Sequence, residues 1–491
     1  MKNLLRRHWK SGLSVLLGIV VWLFWAVAYP HALSYHEQYQ LFLWTGDYLS
    51  ERLLLPGGFA DWLSEFLVQF FLYPWLGGLL LSLLFVGLQC FTARLLPKKL
   101  YVLSFAVPLS VWWLMGDINV MVALPVALVS VLGLACVRWP RRFWWLDVLV
   151  MPLAWWLFGP AACIYGFIRL LQYGWPVLSG VASMAVCVVL TCMCLPQWPV
   201  QQLLSGISYY RIPLGYPQLS GYNSDMYELI RQDYLIRNER WDELIKRAEE
   251  HVVHTTFWSN SVNLALSQKR QLAERQFRFY QSGDDALIMG SVRDLTSNLP
   301  TAEAFYRLGM INSAQRYMFD IQESILNAKK SGRCTKRIAE CMLINGHYKP
   351  AAKQLNLLKQ TLFYRDWAEQ MEQCLYKDSM LERIPEYKRL RQLRFKDDFL
   401  YSYPELEKIF AMLFVNNQDN KMALDYFLAQ LLLKGQVQQF MQYLQWAQQY
   451  GGYKYMPEGY QDAVRCIQSQ GRQGGSYGQY VQRQLKKGGA K

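Results

Sequence analysis

The chain has 491 residues, of which 53% are hydrophobic, 15% aromatic and 18% charged, and a formal net charge of +14. It divides unevenly near residue 199: 12 of the 51 Lys and Arg and 7 of the 37 Asp and Glu precede that point, but so do 15 of the 19 Trp. An oily first part joined to a polar second part excludes a single soluble globule, a coiled coil, a collagen-like chain and a mainly disordered one.

Residues 12–29 are apolar but for Ser14 and carry no charge, and they follow Lys2, Arg6, Arg7 and Lys10. A span needs about 20 mostly apolar residues, and only a helix satisfies its own backbone in hydrocarbon. Ala26-x-Ala28 resembles a signal-peptide cleavage site. The run is long and Trp-rich, however, and further spans follow, so it is read as a retained anchor. Apolar segments at 66–91, 100–115, 118–137, 144–158, 161–173 and 176–195 bring the expectation to about seven spans.

The positive-inside rule places the N-terminus, Arg94/Lys98/Lys99 and Arg138/Arg141/Arg142 on the cytoplasmic side. The loop at 30–65, with five carboxylates against Arg52 alone, then lies outside. The stretch 144–173 is either one tilted helix or two short ones broken at Gly159-Pro160, and Arg169 is the charge that decides. Two short helices are chosen, which sends the C-terminal part outside the cytoplasm. Asp147 falls near a helix end, within reach of the interface. Tryptophans near segment ends fit an aromatic belt.

The connector at 200–222 is rich in Pro, Gly, Ser and Tyr. Beyond it helical periodicity dominates, and one pattern recurs: Glu239-x-Trp241-x-x-Leu244, Gly309-x-Ile311-x-x-Ala314, Gly346-x-Tyr348-x-x-Ala351 and Gly435-x-Val437-x-x-Phe440, with a degenerate copy at Arg270-x-Leu272. Amphipathic stretches flank each copy, as in two antiparallel helices joined by a tight turn. The segment at 346–351 resembles the tetratricopeptide repeat, and the spacings of 37 residues (Gly309 to Gly346) and 70 (Glu239 to Gly309) sit near one and two of its periods. The resemblance implies an α-solenoid over 223–470 with a groove for a protein or peptide partner. A non-repetitive helical domain is the alternative. The Gly/Gln-rich basic tail at 471–491 is expected to be disordered. The fold class is therefore all-α: a transmembrane bundle at 1–199, a linker at 200–222, a helical-repeat domain and a tail.

The outer loop reads as a structured loop whose carboxylates cap helices and face water, or as an active site. Glu37, set among glutamines and aromatics soon after the first span, resembles the first extracytoplasmic loop of C-type glycosyltransferases. That resemblance implies a polyprenyl-phosphate-linked sugar donor, permits a divalent cation, and gives Glu37 the role of base or metal contact, with Asp61 as second choice. Those enzymes often have more than seven spans, and no Asp-x-Asp motif occurs here. A broader resemblance covers nearly the whole chain. The segments Glu37-Gln-x-Gln-x-Phe42, Pro56-Gly-Gly-Phe-Ala-Asp61, Glu65-Phe-Leu-x-Gln-Phe70 and Asn420-Lys-Met-Ala423 are similar to an uncharacterised family of multi-pass membrane proteins from Bacteroidota. It implies an architecture and no activity.

Other chemistry has little footing. Neither His31/His36/Glu37 nor His251-x-x-His254, expected on one helix face, supplies a full zinc ligand set. Six of the ten cysteines lie in or beside spans, and a bridge among Cys334, Cys341, Cys374 and Cys466 stays open. Nucleotide loops, the Gly-x-Ser-x-Gly elbow and His-Glu-x-x-His are absent. No resident cofactor is expected. In the polar part 39 basic residues face 30 acidic ones, which suits anionic lipid or surface polymers rather than nucleic acid. The sequence therefore reads as a bacterial inner-membrane protein with two candidate functions: presenting a binding domain in the envelope, or transferring lipid-linked sugars.

Overall fold

The computed structural model describes residues 2–138, 140–211, 221–292, 294–325, 329–395, 403–450, 453, 455–470 and 475–488. It is 76% helix, and no strand occurs among the described residues. Most of the linker, including Pro213, Gly215, Tyr216 and Pro217, lies outside them. Contacts divide the chain into two units: Met1–Tyr227 with Gln360–Phe363, and Glu228–Lys359 with Tyr364–Lys491.

The first unit begins with α1 (Lys2–Leu23), α2 (Pro30–Gln38), α3 (Gly46–Leu53), α4 (Gly58–Val68) and α5 (Pro74–Leu95). It continues through α6 (Ala106–Leu114), α7 (Ala123–Ala135), α8 (Asp147–Phe158), α9 (Ala162–Tyr173), α10 (Leu178–Cys194) and α11 (Val200–Ser205). Four stretches are long and apolar enough to cross a membrane: Trp9–Ala28, Pro74–Leu95, Asp147–Tyr173 and Trp175–Cys194. The sequence suggests about seven; α6 and α7 are shorter than a full span. The apolar run at 66–91 is divided, because its first residues complete α4 and a following 3-10 turn before Pro74 opens α5.

The stretch from Asp147 to Tyr173 is not one rod. At 1.5 Å per residue a straight helix would hold Asp147 and Arg169 about 33 Å apart. Instead Arg169 Nη2 lies 3.0 Å from Asp147 Oδ2, and Nε donates to Oδ1 at 3.1 Å. The chain therefore folds back at Gly159, whose φ is +65°, and α8 and α9 form a hairpin. Tyr165 donates a further hydrogen bond to the same carboxylate at 2.9 Å. Both charged side chains are fully buried, which an ion pair survives only when its remaining donors and lone pairs are also satisfied.

Contacts sort the connecting segments into two sets. At one end, the Gly57 N–H donates to Trp156 O (2.8 Å), Trp156 Nε1 to Leu53 O (2.9 Å), and the Tyr209 hydroxyl to Phe158 O. Residues 209–211 also pair with 119–121: Met121 N donates to Tyr209 O at 2.8 Å and Arg211 N to Asn119 O at 2.9 Å. At the other end, Ser14 donates to the wholly buried Gln89 (2.7 Å), which donates to Ser104 (2.9 Å). Near that same set of loops Arg169 reaches Val137 O and Gln172 reaches Ala135 O.

The second unit starts within α12 (Ser224–Arg237) and runs through α13 (Trp241–Glu250), α14 (Thr256–Gln268), α15 (Leu272–Arg275), α16 (Leu299–Leu308), α17 (Ile311–Glu323), α18 (Gly332–Asn345) and α19 (Tyr348–Leu358). Then come α20 (Arg365–Glu372), α21 (Asp378–Leu381), α22 (Pro385–Leu393), α23 (Leu406–Asn416), α24 (Lys421–Leu433), α25 (Val437–Tyr450), α26 (Glu458–Gln468) and α27 (Ser476–Gly488).

The recurrent sequence pattern has one structural cause. Its first residue takes positive φ every time: Glu239, Arg270, Gly309, Gly346 and Gly435. In each copy that residue's N–H donates three residues back, and the next N–H donates five residues back, as in Arg240 to Leu235, Gln271 to Leu266, Met310 to Phe305, His347 to Met342 and Gln436 to Leu431. This double bond closes the helix end and satisfies its carbonyls. The small or apolar residue that follows is buried in every complete copy (Leu244, Ala314, Ala351, Phe440), where the second helix meets the first.

Two expectations change here. The tail is not structureless where described: α27 is helical, and Tyr477 and Tyr480 are buried against Phe277 at 4.9 and 5.1 Å. Composition counts the glycines and glutamines but not the two aromatics three residues apart that dock it. His251 and His254 share no helix, because α13 ends at Glu250 and α14 starts at Thr256. α22 packs on both α16 and α18, burying Tyr387 and Leu390. Cys334, Cys341, Cys374 and Cys466 are buried free thiols.

Removing one partner of the Asp147–Arg169 pair leaves an uncompensated buried charge. Arg169→Leu is expected to cost about 3–5 kcal/mol, read as a lowered unfolding midpoint in detergent. The double variant Asp147→Leu/Arg169→Leu should regain most of that loss.

Candidate functional site

The two residues singled out from the sequence sit in the segment between α1 and α5. Neither faces water: Glu37 is 3% exposed on α2 and Asp61 4% exposed on α4. Asp61 lies in the first turn of α4, where a carboxylate meets the positive end of the helix dipole. Arg52 Nε approaches Asp61 Oδ2 at 3.9 Å and donates to Glu65 Oε2 at 3.0 Å. Tyr48 donates to the same Glu65 oxygen at 2.6 Å, and the Arg52 guanidinium lies over the Tyr48 ring at 4.5 Å. Burial opposes the charge on Arg52, but Glu65, Tyr48 and Asp61 more than offset it and hold its pKa above the ordinary arginine value. Burial, then the Glu65 charge, push the Tyr48 hydroxyl well above its usual value.

Local geometry makes this compact. A Cβ on Gly58 would fall 1.8 Å from Arg52 O, so only glycine lets α4 start against the end of α3. The expectation of water-facing carboxylates holds for Asp47 and Glu51, which are exposed, and is corrected for Glu37, Asp61 and Glu65: all three are buried, the last two beside Arg52, the loop's one cation.

Arg211, with no local signal to mark it, also belongs to this cluster. Its guanidinium lies 4.7 and 5.2 Å from the Tyr35 and Tyr39 ring centres, and its Nη2 is 3.3 Å from His36 Nδ1. Arginine can only donate, so Nδ1 accepts and the neutral ring carries its proton on Nε2. His36 Nε2, Gln40 Oε1 and Arg211 Nη1 are buried and lack a hydrogen-bond partner among the described residues. Burial, aided by the Arg211 charge, lowers the His36 pKa well below its ordinary value. The arrangement can hold a polar group, and it keeps His36 neutral at physiological pH.

The second unit contains a cleft of about 900 Å³, within the range of ligand sites. Its floor is aromatic: Phe277, Phe279, Tyr280 and Tyr480. Its cations are Arg275, Arg278, Arg483 and Lys486, against the carboxylate of Glu249. Arg275 pairs with Glu249, and Arg278 with Glu458 at 2.7 Å. Arg483 and Lys486, both exposed on α27, make no ion pair among the described residues. Tyr477 and Tyr480 fix that helix by donating to Leu432 O and Leu433 O. Basic residues three apart beside two aromatics were the available sequence clue, hidden within a tail expected to be disordered.

Two outcomes check the first of these sites. The unfolded His36 side chain binds a proton below about pH 6.5 that the folded one refuses, so its contribution to stability is present above that pH and lost as pH falls. The drop in unfolding midpoint from pH 7 to pH 5 should therefore shrink in His36→Gln. Tyr48→Phe deletes two buried hydrogen bonds, one donated to Glu65 and one accepted from Arg52, and should cost about 1.5–3 kcal/mol in the same assay.

No curated protein and no solved structure matches the chain. One family model does, across residues 7–485, far more than half its length. The chain belongs to the family of unknown function DUF6057.

Proposed function

We propose that the chain is a multi-pass inner-membrane protein of bacteria that presents its second unit outside the cytoplasm to bind a protein or peptide. The observation that carries this reading is the cleft of about 900 Å³ in that unit, aromatic below and cationic at its lip. Five helix ends closed by the same double hydrogen bond support a stack of helix pairs similar to tetratricopeptide repeats, an architecture built for binding.

Loop contacts support seven crossings. The α8–α9 turn meets Gly57 of the outer loop and Tyr209, while the Asp147–Arg169 end lies beside Val137 and Ala135, next to the basic residues at 138–142. A hairpin returns the chain to the side where it started, and α10 then crosses once more. With basic loops inside, residues beyond 195 fall outside.

Transfer of lipid-linked sugar is the second reading, with Glu37 as its catalytic carboxylate and Asp61 as second choice. The unpartnered polar atoms of His36, Gln40 and Arg211 beside Glu37 favour a polar ligand there. Arg52 already lies beside Asp61, which weighs against a free carboxylate.

Photo-crosslinking in the native cell tests the first reading. A benzoylphenylalanine at Gln484, in the cleft, should give a discrete protein adduct, and one at the exposed Lys353 should not. Absence of adducts at Gln484, or equal adducts at both positions, overturns it. A periplasm-active reporter fused after Gln470 should be active; a cytoplasmic result overturns the orientation. Under the second reading Glu37→Gln should abolish an envelope glycan at unchanged protein abundance.

A further inference from the structure

The cleft in the second unit holds more chemical information than a binding site of unspecified content. Three of its four cations are arginines, whose planar forks match carboxylates in a two-bond geometry. They divide by element: Arg275 and Arg278 come from the segment that carries Phe277, whereas Arg483 and Lys486 come from α27. The first pair is neutralised within the protein by Glu249 and Glu458. The second pair is not neutralised among the described residues. The uncompensated charge therefore sits on one lip, beside Tyr480 and the Phe277 ring.

We infer that this cleft takes an acidic peptide segment, with an aromatic or branched apolar side chain on the Phe277–Tyr480 floor and carboxylates against Arg483 and Lys486. The assignment rests on the binding-module reading above and adds its ligand chemistry. Charge complementarity selects an anion, and the aromatic floor selects an anion with an adjoining apolar group. The concavity favours a chain segment over a bilayer, because a flat lipid surface cannot enter a hollow of about 900 Å³.

The test uses the full-length protein in nanodiscs and fluorescence anisotropy of a rhodamine-labelled peptide of alternating glutamate and phenylalanine. The expected result is saturable binding that weakens as salt is raised from about 50 to 300 mM, since exposed charges are screened. Arg483→Glu/Lys486→Glu should weaken it at least tenfold, and Lys353→Glu on α19 should leave it unchanged. A lysine–phenylalanine peptide should bind the parent protein poorly and the charge-reversed variant better. Equal affinity of parent and charge-reversed protein for the acidic peptide overturns the assignment. Displacement by dihexanoyl-phosphatidylglycerol at lower concentration than by unlabelled peptide also overturns it, in favour of a lipid headgroup. Gln484 adducts that persist in the charge-reversed protein would retire the acidic ligand and keep the binding module. Peptide binding without any cellular adduct would do the reverse.

Discussion

The ion pair between Asp147 and Arg169 is the constraint from which the arrangement of the first unit follows. Two charges inside an apolar bundle persist only together, and these are 22 residues apart along the chain. Their contact fixes α8 and α9 as a hairpin rather than a rod. That single choice sets whether the chain ends on the side of its N-terminus or opposite it. The hairpin also brings its turn to Gly57, in the segment between α1 and α5, so one electrostatic contact organises both ends of the bundle.

The second unit is organised by a different device. Helix ends leave carbonyls without partners, and five times this chain resolves the problem with a residue in the left-handed conformation. Glycine adopts it without strain at three of those sites; Glu239 and Arg270 adopt it despite their side chains. Buried ion pairs then tie separate helices: Glu303, which accepts from Arg307 of its own helix at 2.8 Å, also accepts from Arg337 of α18 at 3.0 Å, and Arg333 of α18 meets Asp233 of α12 at 2.6 Å. Burial alone would raise the Glu303 pKa, but the surrounding arginines hold it below the usual carboxylate range.

Sequence reading succeeds here where the physics is local. The turns at Gly309 and Gly346 were legible because a helix end and its closing residue are consecutive. The break at Gly159-Pro160 was legible for the same reason. What escaped depends on distance along the chain. Nothing in residues 30–65 reveals that Arg211 reaches His36, or that Asp61 and Glu65 turn inward to Arg52. The tail was misjudged because composition averages away Tyr477 and Tyr480, the two side chains that anchor it. Two of the cleft's four cations lie in that tail, so half of its charge was out of sight.

The separation of His36 from Arg211, 175 residues, has a consequence for biogenesis. At roughly 5–20 residues per second, the ribosome needs on the order of ten seconds or more to deliver the guanidinium after the imidazole. Throughout that interval His36 is without the cation that meets its Nδ1, and Tyr35 and Tyr39 are without the guanidinium that lies over their rings. Completion of this cluster is thus timed by translation of α10 and the strip after it.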